Sequence, residues 1–104
     1  MSEGLPKFES IAKVLCAVEG DRRANLSRVS KATGLTWTTV IRVVEFLEQR
    51  GLIERNKEGR EHSLKLTRNG KRVLARIKEV SKALGVSIEL ETVKRSGKWW
   101  ERFL

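Results

Sequence analysis

A mainly helical α+β domain is predicted, with three helices, a two-stranded β-hairpin, a following helix and a C-terminal extension. Three observations predict it. Four segments repeat apolar side chains at three- and four-residue steps, the period of a helix with one packed face. One segment, residues 52–66, instead alternates apolar with polar around a glycine, the period of paired strands. The changes of pattern coincide with glycines or with residues suited to cap a helix.

The first helix is expected over Phe8 to Glu19, where Phe8, Ile11, Leu15 and Val18 share a stripe and Val14 lies beside it. Gly20 and Asp21 end it. Asn25 is placed to cap a second helix running to about Thr33, with Leu26, Val29 and Ala32 stepping by three. Gly34 supplies the turn, and Thr36 caps a third helix that carries Val40, Val43, Val44 and Leu47 on its apolar face and stops at Gly51. Residues 52–66 give two short strands about a Gly-containing turn. Thr67 then caps a helix with Val73, Leu74, Ile77, Val80 and Leu84, ended by Gly85. In the last stretch, residues 86–91 alternate as a strand does, and Lys98 to Leu104 suit one or two helical turns. The expected organisation is a domain over residues 7–84 and an extension over 85–104 that packs on the domain or on a dimer partner.

At 104 residues the chain makes one domain with a modest core, and a partner chain would add to its stability. Its 22 Lys and Arg against 13 Asp and Glu leave a formal net charge of +9, which favours polyanionic partners, nucleic acid first. The surplus is uneven. Residues 1–51 carry 8 basic and 6 acidic side chains, residues 52–84 carry 10 and 4, and residues 85–104 carry 4 and 3. The single Cys16 forbids an intrachain disulfide and suits a reducing compartment. No apolar run is long enough to span a membrane and no basic-then-apolar start is present, so an intracellular, cytoplasmic protein is expected. One His, one Cys and no paired carboxylates in a recognisable constellation offer little to run catalysis with, and no cofactor or metal motif is found.

The second and third helices, joined through Ala32-Thr33-Gly34, read as a helix-turn-helix whose second member meets a base edge. Its first turn is rich in hydroxyls and its middle carries Arg42. The order of elements, the stretches Leu35-Thr36, Thr38-Thr39-Val40, Arg42, Leu47-Glu48 and Gly51-Leu52-Ile53, and the run Leu64-Lys-Leu-Thr-Arg-Asn-Gly70 together resemble the winged-helix DNA-binding proteins. The resemblance is to the MarR-like and related bacterial and archaeal transcriptional regulators, and it covers roughly Phe8 to Leu84. Glu58-Gly59-Arg60 is similar to that family's acidic-any-Arg wing tip. The resemblance implies that the third helix enters the major groove with Thr36, Trp37, Thr38, Thr39 and Arg42. It also implies that the hairpin, or wing, reaches the DNA backbone with Arg55, Lys57, Arg60 and His62, with Arg60 entering a minor groove. The sequence departs from the family's usual small or polar residues at Trp37, Ile41 and Phe46.

Each of these residues also has a plainer role. Arg42 can fork onto guanine, reach a phosphate or pair with Glu45 three residues on. Thr36 serves as a cap whatever the function, which leaves Thr38, on the outward face one turn before Arg42, as the threonine expected to touch DNA. Trp37 either contacts a thymine methyl or a sugar or packs against a neighbouring helix. Phe46 lies off the buried stripe and needs cover from another element or a partner. Arg55, Lys57, Arg60 and Lys65, near Arg68, Lys71 and Arg72, either neutralise phosphates or form a solvated face. His62 is a solvated wing residue by default. Cys16 in an apolar helix behaves as a small hydrophobe unless its thiolate is stabilised. Val73, Ile77, Val80 and Leu84 form a seam that either pairs with its twin in a homodimer or packs on the first helix, with Leu74 serving the core in the first case.

The combined expectation is a sequence-specific double-stranded DNA-binding transcriptional regulator, homodimeric and without cofactor. The alternative is a winged-helix protein-interaction module in a larger assembly, docking through the aromatic tail of Trp99, Trp100 and Phe103.

Overall fold

In the computed structural model, residues 5–58 and 61–86 are described. They form α1 (Phe8–Glu19), α2 (Leu26–Thr33), α3 (Trp37–Gln49), β1 (Ile53–Glu58), β2 (Glu61–Leu66) and α4 (Arg68–Leu84). Arg60 and the extension from residue 87 on, including the strand-like stretch and Trp99, Trp100 and Phe103, lie outside the described residues.

The capping residues expected from the sequence do their local work. The Asn25 side chain accepts from the Arg28 amide at 2.8 Å, that of Thr36 from the Thr39 amide at 3.3 Å, and that of Thr67 from the Gly70 amide at 3.0 Å. Each satisfies an N–H that the first helical turn leaves without an internal partner.

Helix α1 is the centre of the domain, because α2, α3, α4 and β2 all pack against it. A helix covered from several sides buries more than one stripe. Ala12, Val14, Leu15, Ala17 and Val18 are therefore all in the core, whereas Phe8, the first residue of the helix, is 65% exposed despite lying on the expected stripe. Helix α3 adds Val40, Val43, Val44 and Leu47, each fully buried, on the face its spacing predicts.

The two strands are antiparallel and in register from Ile53 opposite Leu66 to Glu58 opposite Glu61. Strand alternation places Ile53, Arg55 and Lys57 on one face with Leu66, Leu64 and His62, and the buried Ile53, Leu64 and Leu66 turn that face toward the core. A further tie is nonlocal: the Leu64 amide donates to the Ala24 carbonyl at 2.9 Å, so the loop before α2 lies along the outer edge of β2.

The step from the hairpin into α4 is tightly fitted. The Thr67 amide donates to the Leu52 carbonyl at 3.0 Å and the Thr67 hydroxyl donates to the Gly51 carbonyl at 2.6 Å. A β-carbon at Gly70 would collide with the Leu52 carbonyl, so only glycine permits this approach.

Helix α4 divides the expected seam. Ile77 is only 6% exposed and joins Leu74 in the core, and Val73 packs partly against it, while Val80 and Leu84 are 55% and 71% exposed. Helix α4 packs against α1, and Ile77 is buried with Leu74 on the inward side of the helix. The outward remainder of the seam is its C-terminal end.

Candidate nucleic-acid interface

The angle between α2 and α3 is held by a short polar network around Gly34. That glycine ends α2 in the left-handed conformation at φ 73°, which an L side chain adopts only at a cost. The buried Thr33 hydroxyl donates to the Val29 carbonyl at 2.8 Å and accepts from the Leu35 amide at 3.2 Å. The Ser30 hydroxyl donates to the Leu35 carbonyl at 2.9 Å. Val29 of α2 and Val40 and Val43 of α3 are all buried in the core, so the two helices on either side of the turn are anchored to the same apolar cluster.

On α3 the four valine and leucine side chains point inward, so the opposite face is carried by Thr38, Arg42, Glu45 and Gln49, all exposed. Arg42 makes no hydrogen bond or ion pair among the described residues, and the pairing with Glu45 is not formed. Its guanidinium keeps all its donors available. Thr36 and Thr39 are engaged with each other: the Thr36 hydroxyl donates to that of Thr39 at 2.9 Å as well as accepting from the Thr39 amide. Thr38 has no such engagement. Trp37 and Phe46 occupy opposite shoulders of the helix and meet different fates. Phe46 is half-buried beneath Arg50, whose guanidinium carbon stands 3.7 Å from the ring centroid, a cation–π contact that covers it. Trp37 is 50% exposed.

The described wing residues are not brought together as one cationic face. Arg55 is turned toward α3, where its Nη2 meets Glu48 Oε1 at 2.8 Å, and its Nε is buried without a partner. Glu48 closes part of that charge, so Arg55 ties the wing to the third helix. His62 lies diagonally across the strands on the same face, half-buried, with its Nδ1 enclosed and unpartnered. Lys57 is exposed on this face beyond them. Lys65 is on the opposite face, directly across from Glu54, an acidic neighbour that offsets part of its charge. Exposed Arg68, Lys71 and Arg72 extend the basic surface onto the first turns of α4.

Sequence reasoning missed two groups that shape this surface. Glu48 is linked to Arg55 only because the chain reverses at Gly51, and nothing in the local pattern signals it. Asp21, ahead of α2, accepts from Arg28 Nε at 2.6 Å and from the Arg23 amide at 2.9 Å. Burial pushes the Asp21 carboxyl up, but the bonds from Arg28 and Arg23 and their charges outweigh it and hold it below the usual carboxylate range. This fixes the loop whose Ala24 carbonyl meets β2.

Cys16 stands apart from the surface. Burial pushes its thiol up to about 11, against a smaller opposing pull from Lys78, so it is a neutral thiol at physiological pH. Among the described residues no cluster of His, Cys, Asp and Glu is placed to hold a metal ion.

The family model described as "Winged helix-turn-helix" matches residues 6–84. Among solved structures, the chain is similar to BpsR of Bordetella bronchiseptica, described with the regulation of its DNA binding by 6-hydroxynicotinic acid. The identity is 23% and the TM-score 0.67, over 90% of this chain and 65% of that one. It is similar to the transcriptional repressor CouR bound to a 23-mer DNA duplex, at 27% identity and a TM-score of 0.63, over 68% of this chain and 52% of the repressor. A MarR-family transcriptional regulator from Rhodococcus sp. RHA1 aligns at 25% identity and a TM-score of 0.65, over 74% and 56% of the two chains. The chain thus spans between half and two thirds of the length of these regulators. No curated protein sequence matches it.

Proposed function

The chain belongs to the winged helix-turn-helix family, whose fold is that of transcriptional regulators, and from that membership we propose that it is a sequence-specific, double-stranded DNA-binding regulator of transcription acting as a homodimer. Helix α3 enters the major groove, and the basic wing and the start of α4 lie along the phosphate backbone. The observation that carries this reading is Arg42, exposed at the middle of the outward face of α3 with no hydrogen-bond or ion-pair partner among the described residues.

A guanidinium free of internal ion pairs can fork onto the O6 and N7 acceptors of guanine, the commonest specific contact in the major groove. Thr38 stands on the same face one turn earlier and supplies a second, shorter contact. Thr36 and Thr39 support them by holding the first turn of the helix. Lys57 and Arg60 on the wing, with Lys65, Arg68, Lys71 and Arg72, neutralise phosphates, and Arg60 reaches the adjacent minor groove. Arg55, paired with Glu48, ties the wing to α3. The CouR complex with duplex DNA supports this placement by analogy of fold.

Exposed Val80 and Leu84 at the end of α4 support pairing with a second copy, with the extension from residue 85 adding to the contact. A two-fold dimer would select half-sites about one helical turn apart, close to 34–36 Å. No helix of the described residues is long and apolar enough to cross a membrane, which supports a place in the cytoplasm with the DNA. Repression by occluding a promoter is the simplest mechanism.

Binding of the full chain to random and promoter-derived duplexes, repeated across a salt series, tests the reading. The expected result is tight binding to one duplex and weaker, salt-steep binding to the rest. Absence of binding to any duplex at low salt would exclude it.

A further inference from the structure

We propose that Trp37, extended by Ile41, forms an apolar edge of α3 that recognises thymine through its 5-methyl group, which makes Trp37 a specificity-determining residue. The inference rests on the reading of α3 as the major-groove helix and names what one edge of that helix selects.

The domain does not use these two side chains for its core. On α3 that task belongs to Val40, Val43, Val44 and Leu47, all fully buried, whereas Trp37 opens the helix half in water. Ile41 is half-buried yet is not among the partly buried side chains that pack on the core. Residues four apart are neighbours on a helix surface, so Trp37 and Ile41 make one apolar strip. That strip borders the outward line of Thr38 and Arg42. Phe46, on the other shoulder, shows the contrast, since Arg50 covers it.

The chemistry of the strip narrows what it can meet. An indole and a branched alkyl group offer phosphate oxygens almost nothing, and they leave the amino group of cytosine or adenine without an acceptor. The one feature of the major groove that asks for no hydrogen bond is the thymine methyl. Trp37 precedes Arg42 by five residues, about 7.5 Å along the helix, or roughly two base-pair steps of ~3.4 Å. The site should therefore place thymine within about two base pairs of the guanine read by Arg42.

The test uses the full chain and the duplex that it selects from a random-sequence pool. Each thymine is replaced in turn by deoxyuridine, which keeps the pairing and removes only the methyl. Affinity should fall about fourfold at one or two positions near the guanine, the worth of one buried methylene-sized group. Trp37→Ala, checked for folding by circular dichroism, should bind the thymine and uracil duplexes equally at those positions. Tolerance of uracil at every position, on a duplex that is otherwise clearly preferred, would overturn this proposal and leave the DNA-reading function standing. Methyl sensitivity unchanged in Trp37→Ala would overturn it as well. Selection that yields no preferred duplex would remove both.

Discussion

An arginine without an internal partner keeps its hydrogen-bonding capacity for a ligand, and Arg42 has none among the described residues, whereas Arg55 has already given one nitrogen to Glu48. Substitution should separate the two. Arg42→Ala is expected to lose about 1–3 kcal/mol of discrimination at one base position, read by comparing the selected duplex with its single-base variants. Lys57→Ala, which removes an exposed wing cation, should weaken binding to all duplexes alike and reduce the slope of log affinity against log salt by about 0.9. Arg55→Ala should leave that slope unchanged and instead lower stability by about 1 kcal/mol in a thermal melt, because the pair with Glu48 is lost. A salt slope that falls as much for Arg55→Ala as for Lys57→Ala would return Arg55 to the phosphate contacts. The sequence presents all the wing cations as equivalent, since it shows charge but not what faces it across the fold.

Elements were legible wherever their signals are local. The caps Asn25, Thr36 and Thr67 bond within their own first turns, and the alternation in residues 52–66 sets which face of the hairpin is buried. What escaped depends on distant partners: the Ala24 carbonyl on β2, the Glu48 tether of the wing, and the turning of Ile77 into the core. Gly70 belongs with these, since its need for glycine comes from the Leu52 carbonyl across the strand-to-helix step. Gly70→Ala should cost about 2–3 kcal/mol in chemical denaturation, because the collision is with backbone rather than with a side chain that can move. The loop before α2 carries a pH signature. The folded Asp21 carboxyl titrates below its ordinary value of 3.8, so its contribution is complete above that value and is lost as pH falls through the folded one. Asp21→Asn should therefore lower stability at neutral pH and flatten the acid limb of the stability curve, measured by urea unfolding at a series of pH values.

For the whole molecule, the apolar side chains left outside at the end of α4 are the strongest reason to expect a second copy. Replacing Val80 and Leu84 together by Glu should shift sedimentation toward the monomer and weaken binding to a two-half-site duplex more than to a single half-site. An unchanged sedimentation profile would direct attention to another surface for assembly. Cys16 offers a separate view of the same architecture. It sits on α1, the helix every other helix packs against, and is the chain's single thiol. With its pKa moved from 9.0 to about 11, the reactive thiolate is about a hundred times scarcer in the native protein than in a chain where it is exposed. Alkylation of this partly buried thiol should therefore be slow in the folded domain, and a further slowing on DNA would show that engagement of the outer surface is felt at α1.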